Sequence, residues 1–307
     1  MKKIYYITAV FATLFLVGCG DGIDLPGVNV ETDLNKIPLP DNNVNLEQVE
    51  LKPSTEPMLH EGLHTEEDFQ RIRDKKAAGE EPWVSAYQLL VESQFSQKTA
   101  DTYPTEWIKR GISGDENYMN AARGATIVYQ QALRWKIEQD DEYAAKAVEN
   151  LNKWVQTCVG VTGNTNLSLA AGLYGYEFAI AGELLRDYGG WDRADFAAFQ
   201  NWLLKVFYPA NDDFLKRHHD TNALHYWANW CLCNIAAKMA IGIVTDRRDI
   251  YNEGIAHLQT GDTNGRLRRA IYHDYAPDYN FAQWQESGRD QGHTLMCVGL
   301  MGIICQL

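Results

Sequence analysis

The sequence lacks any apolar run long enough to cross a bilayer as a helix. The stretch Ile4–Val17 is too short for this, and no later stretch is long enough. Basic residues are also scarce: the 307 residues include 28 Lys and Arg against 41 Asp and Glu, a net charge of −13. Because phosphate binding needs a basic face, this charge argues against a nucleic-acid partner. It leaves room for a locally basic cleft that binds an acidic ligand.

Cysteines are few, and their spacing supports neither a disulfide framework nor a metal site. Besides Cys19 there are five, an odd number that fits no complete set of disulfides. Cys231 and Cys233 lie two positions apart in an apolar helical run, so they point to different sides and cannot chelate one metal together. We expect buried thiols. No metal or other cofactor is predicted.

Proline is concentrated before the folded part of the chain. Five of the nine prolines lie between Gly20 and Pro57, where no periodicity is found. This composition predicts a flexible linker over residues 20–57. Before it, Lys2 and Lys3 precede the apolar run, and Leu16–Cys19 has the form of a lipobox, which predicts a lipoprotein signal peptide over residues 1–19. Cys19 would then carry a lipid that tethers the domain to the bacterial envelope, in the periplasm or at the outer-membrane surface.

Alternating apolar patterns of useful length are absent, which argues against a β-sheet protein. The region 58–307 instead shows apolar residues at helical spacing. A first helix follows the N-cap Thr65 and a second opens at Pro82–Trp83, whereas 102–114 is predicted as loop. The remaining predicted helices are Asn117–Gln139, Glu142–Cys158, Leu167–Tyr188, Ala194–Phe207, Asn222–Val244, Arg248–Gln259 and Arg289–Ile304. Similar helices joined in pairs predict an all-α fold, an (α/α) toroid or solenoid of helical hairpins. Because the last helix is apolar up to Leu307, we expect the toroid to be incomplete at its C-terminus.

The sequence also lacks a nucleophile elbow, a phosphate loop and a dinucleotide-binding glycine motif. Two polar stretches remain as sites for chemistry, and the first is Arg217–Trp230. If it forms the first turns of a helix, Asn222, His225, Tyr226 and Asn229 lie on one stripe at spacings of three and four. Left unpaired in a core, such groups would each cost roughly 1–3 kcal/mol. The alternative is a satisfied buried network or a solvated helix cap.

The second stretch, Trp284–His293, combines two acids, an arginine, a histidine, an indole and two glutamines before the sequence turns apolar. In a helix, Glu286, Arg289 and His293 would share one face. The alternative is a solvated first turn with an acid near the helix N-terminus. Two glycines and a tryptophan are poor choices for such a turn, so we favour a functional site.

Two other chemistries are open to these stretches. His218, His219, Asp220 and His225 could supply metal ligands, but adjacent histidines point apart on a helix and no HExxH-type spacing is present. Paired carboxylates for glycoside hydrolysis could come from Asp220, Glu286 and Asp290, although the sequence does not fix their separation.

Three segments together resemble the alginate lyase-like superfamily of polysaccharide lyases, in the branch that acts on alginate or glucuronan. They are the Asn-x-x-His-Tyr-Trp-x-Asn-Trp run from Asn222, the Asp246–Asp249 run with Tyr251, and the Gln-Glu-Ser-Gly-Arg-Asp-Gln-Gly-His run from Gln285. The likeness extends from about Leu63 to the C-terminus. It implies an α/α toroid that cleaves uronate polymers by β-elimination.

The resemblance also implies roles for individual residues. Asn222 and His225 match the pair that neutralises the uronate carboxylate, and Arg289 matches an assisting arginine. Two departures stand out: Ala223 and Leu224 separate the pair, and His293 stands where some relatives have a tyrosine. The base therefore remains open between Tyr226, His293 and Tyr275. The expected substrate-binding residues are His219, Trp227, Tyr275, Trp284, Gln285 and Glu286.

The predicted partner is an acidic polysaccharide, and the leading hypothesis is a lipid-anchored polysaccharide lyase. Donors such as Asn, protonated His and Arg can stabilise the enediolate that forms when a uronate loses its C5 proton. One alternative is a non-catalytic glycan-binding lipoprotein that retains the cleft of a truncated lyase. A weaker one is a glycoside hydrolase on the same helical scaffold.

Overall fold

The computed structural model describes residues 58, 60, 62–275 and 282–307. The predicted signal peptide with Cys19 and the whole predicted linker, residues 20–57, lie outside them. The helices are α1 Glu66–Ala77, α2 Trp83–Glu92, α3 Tyr118–Glu138, α4 Asp141–Thr157, α5 Leu167–Leu184, α6 Arg193–Val206, α7 Tyr208–Arg217, α8 Ala228–Val244, α9 Arg248–Thr260, α10 Leu267–Ala270 and α11 Gln291–Gln306. The strands are β1 Trp107–Arg110, β2 Gly160–Gly163, β3 Ile271–Asp274 and β4 Ala282–Trp284, and short 3-10 turns lie at Gln94–Ser96 and His218–Asp220.

Local sequence explains where several helices begin. The predicted cap at Thr65 is confirmed: its hydroxyl accepts a hydrogen bond from the backbone N–H of Asp68, whose carboxylate accepts one from the N–H of Thr65. Asp140 caps α4 in a similar way by accepting from the N–H of Glu142. Between α3 and α4, Gln139 adopts a left-handed conformation (φ 57°) that ends α3 and turns the chain back.

The prediction of an all-α fold is confirmed, and α5 and α8 form its centre. These two helices contact each other more extensively than any other pair. Both are apolar on nearly all sides, as expected for helices buried between neighbours. They approach closely at Gly172, where an added Cβ atom would lie only 2.5 Å from the sulfur of Cys233. The short connections make α3–α4 and α8–α9 antiparallel hairpins, the unit from which an α/α toroid is built.

The prediction of a loop over residues 102–114 was wrong at Trp107–Arg110, which form a short strand. Strand β1, within the segment predicted as loop, pairs in parallel with β2, and β3 pairs antiparallel with β4. These strands have three or four residues each, too few for an alternating pattern to be recognised in a sequence. Ile108 of β1 is fully buried and attaches the first sheet to the helical core.

The predicted helix Asn222–Val244 begins six positions later, at Ala228. The reason lies in residues 222–227, where Asn222 accepts hydrogen bonds from the N–H groups of Leu224 and His225 in a tight turn. Trp227 then has an extended backbone (φ −65°, ψ 163°) at the N-cap position, so the helix starts only after it. Helix α7 was not predicted, because Pro209 follows α6 closely and suggests a stop although proline is allowed in a first turn.

A buried cation joins three helices beside this core. Lys238 of α8 has no exposed side-chain area, and its ammonium group lies 2.7 Å from Asp212 of α7 and 2.6 Å from Glu253 of α9. Lys216 also binds Asp212, at 2.8 Å, but on the surface. Because a buried charge must be paired, this cluster fixes α7 against α8.

The predicted burial of Cys231 and Cys233 is confirmed, and both are free thiols. Burial raises the pKa of Cys231 to about 11 and raises the pKa of Cys233 further, so both are protonated at neutral pH. Among the described residues, none of the helices combines the length and apolar character needed to span a membrane.

Candidate active site

The loop that precedes α8 carries the first group of predicted site residues. The left-handed turn His218–Asp220 is an uncommon backbone conformation for residues other than glycine, and such strain concentrates at functional sites. The turn directs the ring of His219 against Tyr226, with ring centroids 5.7 Å apart. His219 Nε2 lies 3.0 Å from the hydroxyl of Ser168 at the start of α5. The turn therefore joins α5 to the loop.

Asn222 and His225 form a tight turn in this loop. The side-chain oxygen of Asn222 accepts a hydrogen bond from the N–H of Leu224 (2.8 Å), and its carbonyl accepts one from the N–H of His225 (2.8 Å). Both residues are exposed. Because its side-chain oxygen is used inside the turn, Asn222 presents its amide nitrogen as a donor. The predicted helical stripe is wrong: Asn222, His225 and Tyr226 lie in the loop, and only Asn229 is in α8.

Tyr226 is held in an aromatic cage, and the residue is largely buried, with 8% exposed. Its ring contacts Trp230 at 4.6 Å, His225 at 4.9 Å and Phe214 at 5.2 Å between centroids. Asn264 fixes its backbone by donating to the carbonyl groups of Leu224 and Tyr226 (3.0 and 2.8 Å). The ring is thus rigidly placed, as a proton-transfer group requires.

The loop ends at Trp227, which stands at the N-cap position of α8 with 47% of its surface exposed. Tryptophan cannot accept hydrogen bonds through its side chain, so the first N–H groups of α8 have no cap from Trp227 itself. Two residues from the second polar stretch accept hydrogen bonds from these N–H groups instead. Gln285 accepts from the N–H of Ala228 at 2.9 Å, and Glu286 accepts from the N–H of Asn229 at 3.3 Å.

Glu286 is the centre of this second stretch and is almost fully buried, with 1% exposed. Besides Asn229, its carboxylate binds Arg289 Nη1 at 3.0 Å and accepts a hydrogen bond from the thiol of Cys297 at 3.0 Å. Burial, together with this carboxylate, raises the pKa of Cys297, so the thiol keeps the proton it donates. Glu286 therefore orients Arg289, whose side chain remains 43% exposed.

His293 forms a pair with Asp290, the N-cap of α11. Its Nδ1 lies 2.6 Å from one carboxylate oxygen of Asp290, and the other oxygen accepts the backbone N–H of His293 at 2.8 Å. That backbone hydrogen bond is the main cause of a lowered pKa at Asp290, so the carboxylate is ionised and can only accept. The proton of neutral His293 is then on Nδ1, which leaves the lone pair on Nε2.

The predicted shared helical face of Glu286, Arg289 and His293 is wrong. Trp284 belongs to β4, residues 285–289 form a turn, and α11 begins only at Gln291. Asp290 ends the turn because its extended backbone (φ −168°, ψ 162°) and its side chain make it an N-cap. The turn nevertheless brings the two polar stretches together, since residues 57 positions apart in the chain are hydrogen-bonded.

A sequence profile of the alginate lyase family matches residues 72–271. The chain belongs to the alginate lyase family. None of the curated proteins compared with the chain matches it. Membership in this family of polysaccharide lyases implies an acidic polysaccharide as substrate and confirms the resemblance seen in the sequence. The matched range includes Asn222–Trp230 but ends before Gln285, and the second stretch is attached to the first through the hydrogen bonds of Gln285 and Glu286.

Other predicted site residues of this alginate lyase family member make their contacts away from Tyr226. Tyr275 donates a hydrogen bond to Gln283 at 3.1 Å and packs against His273, within the β3–β4 sheet. Trp284 packs half-buried against the helical core. Asp246–Asp249, the remaining segment on which the family resemblance depends, follows the C-terminal end of α8. It lies about 25 Å from the loop at the start of α8.

The alternative chemistries fit this site less well. No group of three or more His, Cys, Asp or Glu side chains in the described ranges could hold a metal ion. Of the carboxylates considered for hydrolysis, Glu286 is buried with its oxygens already hydrogen-bonded, and Asp290 is bound to His293. Neither is free to protonate a glycosidic oxygen.

Sequence reasoning missed three residues that support the site: Ser168, Asn264 and Cys297. Asn264 lies in the polar run Asp262–Gly265, which marks a turn but does not indicate what the turn holds. Ser168 and Cys297 lie in apolar helical patterns and gave no signal. Their roles depend on which helices pack together, which a single sequence does not specify.

Proposed function

We propose that this protein is a lyase that cleaves a uronate polymer of the alginate or glucuronan type by β-elimination. The observation that carries the proposal is the attachment of Gln285 and Glu286 to the first N–H groups of α8. Because Arg289 is paired with Glu286, this attachment supports a site that combines Arg289 with the loop of Asn222, His225 and Tyr226. Membership in the alginate lyase family supports the same chemistry.

Asn222, His225 and Arg289 neutralise the substrate carboxylate in this proposal. The C5 proton of a uronate is weakly acidic while the neighbouring carboxylate is charged, and hydrogen-bond donors aimed at that carboxylate stabilise the enediolate. The amide nitrogen of Asn222 and the exposed guanidinium of Arg289 are such donors. Arg289 needs little reorganisation because Glu286 already holds it.

Tyr226 and His293 divide the proton transfers. His293 Nε2, with its lone pair fixed by the Asp290 contact, takes the proton from C5. The electron pair of the C5–H bond forms the C4=C5 double bond as the C4–O4 bond breaks. The Tyr226 hydroxyl gives its proton to the departing O4. The products are an unsaturated uronate and a new chain end, and no water is consumed.

The test is incubation of the purified protein with alginate, glucuronan and a glycosaminoglycan, read by ultraviolet absorbance of the unsaturated product. Mass spectrometry of the products adds a second readout, because elimination products weigh one water less than hydrolysis products. We expect absorbing products from at least one uronate polymer. New reducing ends without absorbance would indicate a hydrolase, and binding without any product would indicate a glycan-binding protein; either result would overturn the proposal.

We further propose that the enzyme is a lipoprotein held at the bacterial envelope through Cys19. The support is the lipobox Leu16–Cys19 after a basic and apolar leader. In a bacterial host, the full chain should sediment with membranes, and Cys19→Ala should release it into the soluble fraction. Equal sedimentation of both forms would contradict lipid anchoring.

A further inference from the structure

A guanidinium group without a counter-charge lies at the end of strand β1. Arg110 forms no ion pair with any described carboxylate, and its Nη1 is buried without a hydrogen-bond partner. The guanidinium packs over the ring of Tyr118, whose centroid lies 4.6 Å from the guanidinium carbon. This is unusual in a chain with 41 acidic residues, where buried cations such as Arg134 and Lys238 are paired.

Arg110 lies at the same end of the helical core as Tyr226. It pairs with Gly163 at the end of β2, only four positions before α5 begins. Burial raises the pKa of Tyr174 in α5 and of Cys233 in α8, and the nearby positive charge of Arg110 opposes both increases. Strands β1 and β2 both contact α5, so Arg110 lies near the start of α5, where Ser168 contacts His219.

The backbone around Arg110 is fixed. A Cβ atom at Gly163 would lie 1.7 Å from the carbonyl oxygen of Arg110, and Gly163 has a φ of 146° that favours glycine. Within the strand, Ile108 and Arg110 share the face that is turned towards the core, while Trp107 remains partly exposed. The guanidinium is thus held in place before any ligand binds, which reduces the entropy lost on binding.

An unpaired donor nitrogen on a half-buried guanidinium leaves hydrogen-bonding capacity that a ligand can meet. A planar guanidinium binds carboxylates through two parallel hydrogen bonds, and it does so best where water is partly excluded. We propose that Arg110 binds a carboxylate of the polymer at a subsite next to the uronate held by Asn222, His225 and Arg289. The ligand class in this inference rests on the proposed function.

The test measures binding of a saturated tetra-uronate by calorimetry in the Tyr226→Phe background, which prevents turnover. Arg110→Gln should weaken binding on the order of tenfold, because one charge-assisted contact is lost. Arg110→Lys should recover part of the affinity. The matched control is Arg247→Gln, which removes an exposed arginine paired with Asp249 beyond the far end of α8 and should leave affinity unchanged.

A second ligand separates a binding role from a structural one. The carboxyl-reduced tetramer has the same length but no charge, and we expect it to bind more weakly than the tetra-uronate. Its affinity should be the same with and without the Arg110→Gln substitution. Thermal unfolding of Arg110→Gln should occur near the wild-type temperature, because the contact with Tyr118 is lost but a buried unpaired donor is removed as well. Equal loss of affinity for both tetramers would show that Arg110 is structural and overturn the subsite.

The subsite and the lyase activity fail in distinguishable ways. If wild-type protein forms unsaturated product and the Arg110→Gln variant has the same KM as wild-type protein, the subsite is wrong and the lyase activity is confirmed. If wild-type protein forms no product but binds the tetra-uronate through Arg110, the subsite stands and the activity is wrong. Absence of tetra-uronate binding to wild-type protein overturns the subsite directly.

Discussion

The carboxylate of Glu286 accepts a hydrogen bond from the backbone N–H of Asn229, 57 positions earlier in the chain, at 3.3 Å. Through this contact a turn in one part of the chain caps a helix in another. The same carboxylate binds Arg289, so the position of the arginine depends on the position of α8. Helix α8 in turn follows the loop of Tyr226. Glu286 therefore connects the two polar stretches, and its own side chain is almost fully buried.

Glu286→Ala should lower the free energy of unfolding by roughly 2–3 kcal/mol, because it leaves the N–H of Asn229 and the thiol of Cys297 without acceptors. Glu286→Gln keeps an acceptor of the same size and should cost about 1 kcal/mol, while activity falls more than about tenfold as Arg289 loses its ion pair. Urea unfolding and kcat/KM give the two values. Glu149→Gln, an exposed acid paired with lysines, should change neither.

Tyr226→Phe should lower kcat by at least about 100-fold, because the hydroxyl that protonates the leaving oxygen is removed while the ring contacts remain. Affinity for a saturated oligo-uronate should be unchanged, as should the unfolding temperature. His293→Gln should also lower kcat, because the imidazole nitrogen that takes the C5 proton is removed. If His293→Gln keeps full activity, Tyr226 or another group is the base.

Lys238→Met should destabilise the fold by roughly 2–3 kcal/mol, because Asp212 and Glu253 then face each other without their cation. The cost stays below that of a fully buried pair, since Glu253 is partly exposed. Lys216→Met is the matched control. Lys216 binds the same Asp212 at the surface, so its loss should cost less than about 1 kcal/mol. Equal effects of the two substitutions in urea unfolding would contradict the importance of burial.

The free energy of unfolding should fall as the pH drops below the ordinary pKa of histidine, because of His64. Burial lowers the pKa of His64 to about 4, and its Nε2 lies 2.6 Å from the hydroxyl of Tyr129. The folded state therefore keeps His64 neutral while the unfolded state binds a proton. This contribution to stability is complete above the unfolded pKa of 6.5 and is lost as pH falls towards 4. The expected slope is about 1 kcal/mol per pH unit.

His64→Gln should lower the proton uptake on unfolding by about one proton at pH ~5, between the folded and unfolded pKa values of His64. His257, whose pKa burial also lowers to about 4, makes a contribution of similar size and the same sign, which the variant keeps. At mildly alkaline pH the two proteins should show the same pH dependence, because His64 is neutral in both states there. An unchanged slope in His64→Gln at acidic pH would contradict the assignment.

Sequence periodicity predicted most of the helices correctly, since long helices with an apolar face repeat their pattern several times. It failed at the start of α8, where the apolar pattern from Ile235 onwards was extended back to Asn222. The turn at Asn222 and the extended backbone of Trp227 set that boundary, and neither is evident from the helical spacing of the side chains. The short strands β1 and β3 were missed because they are too brief to show an alternation.

The sequence by itself determined the all-α class, the family and the residue types of the site, because these depend on local periodicity and on short motifs. Only the tertiary structure decided that Gln285 and Glu286 cap α8, that Asp290 sets the proton on His293, and that Arg110 has no counter-charge among the described residues. The cap and the isolation of Arg110 depend on segments distant in the chain, and the Asp290 contact depends on where α11 begins. Such relationships follow from which helices pack together, and packing is fixed by the whole core rather than by neighbouring residues.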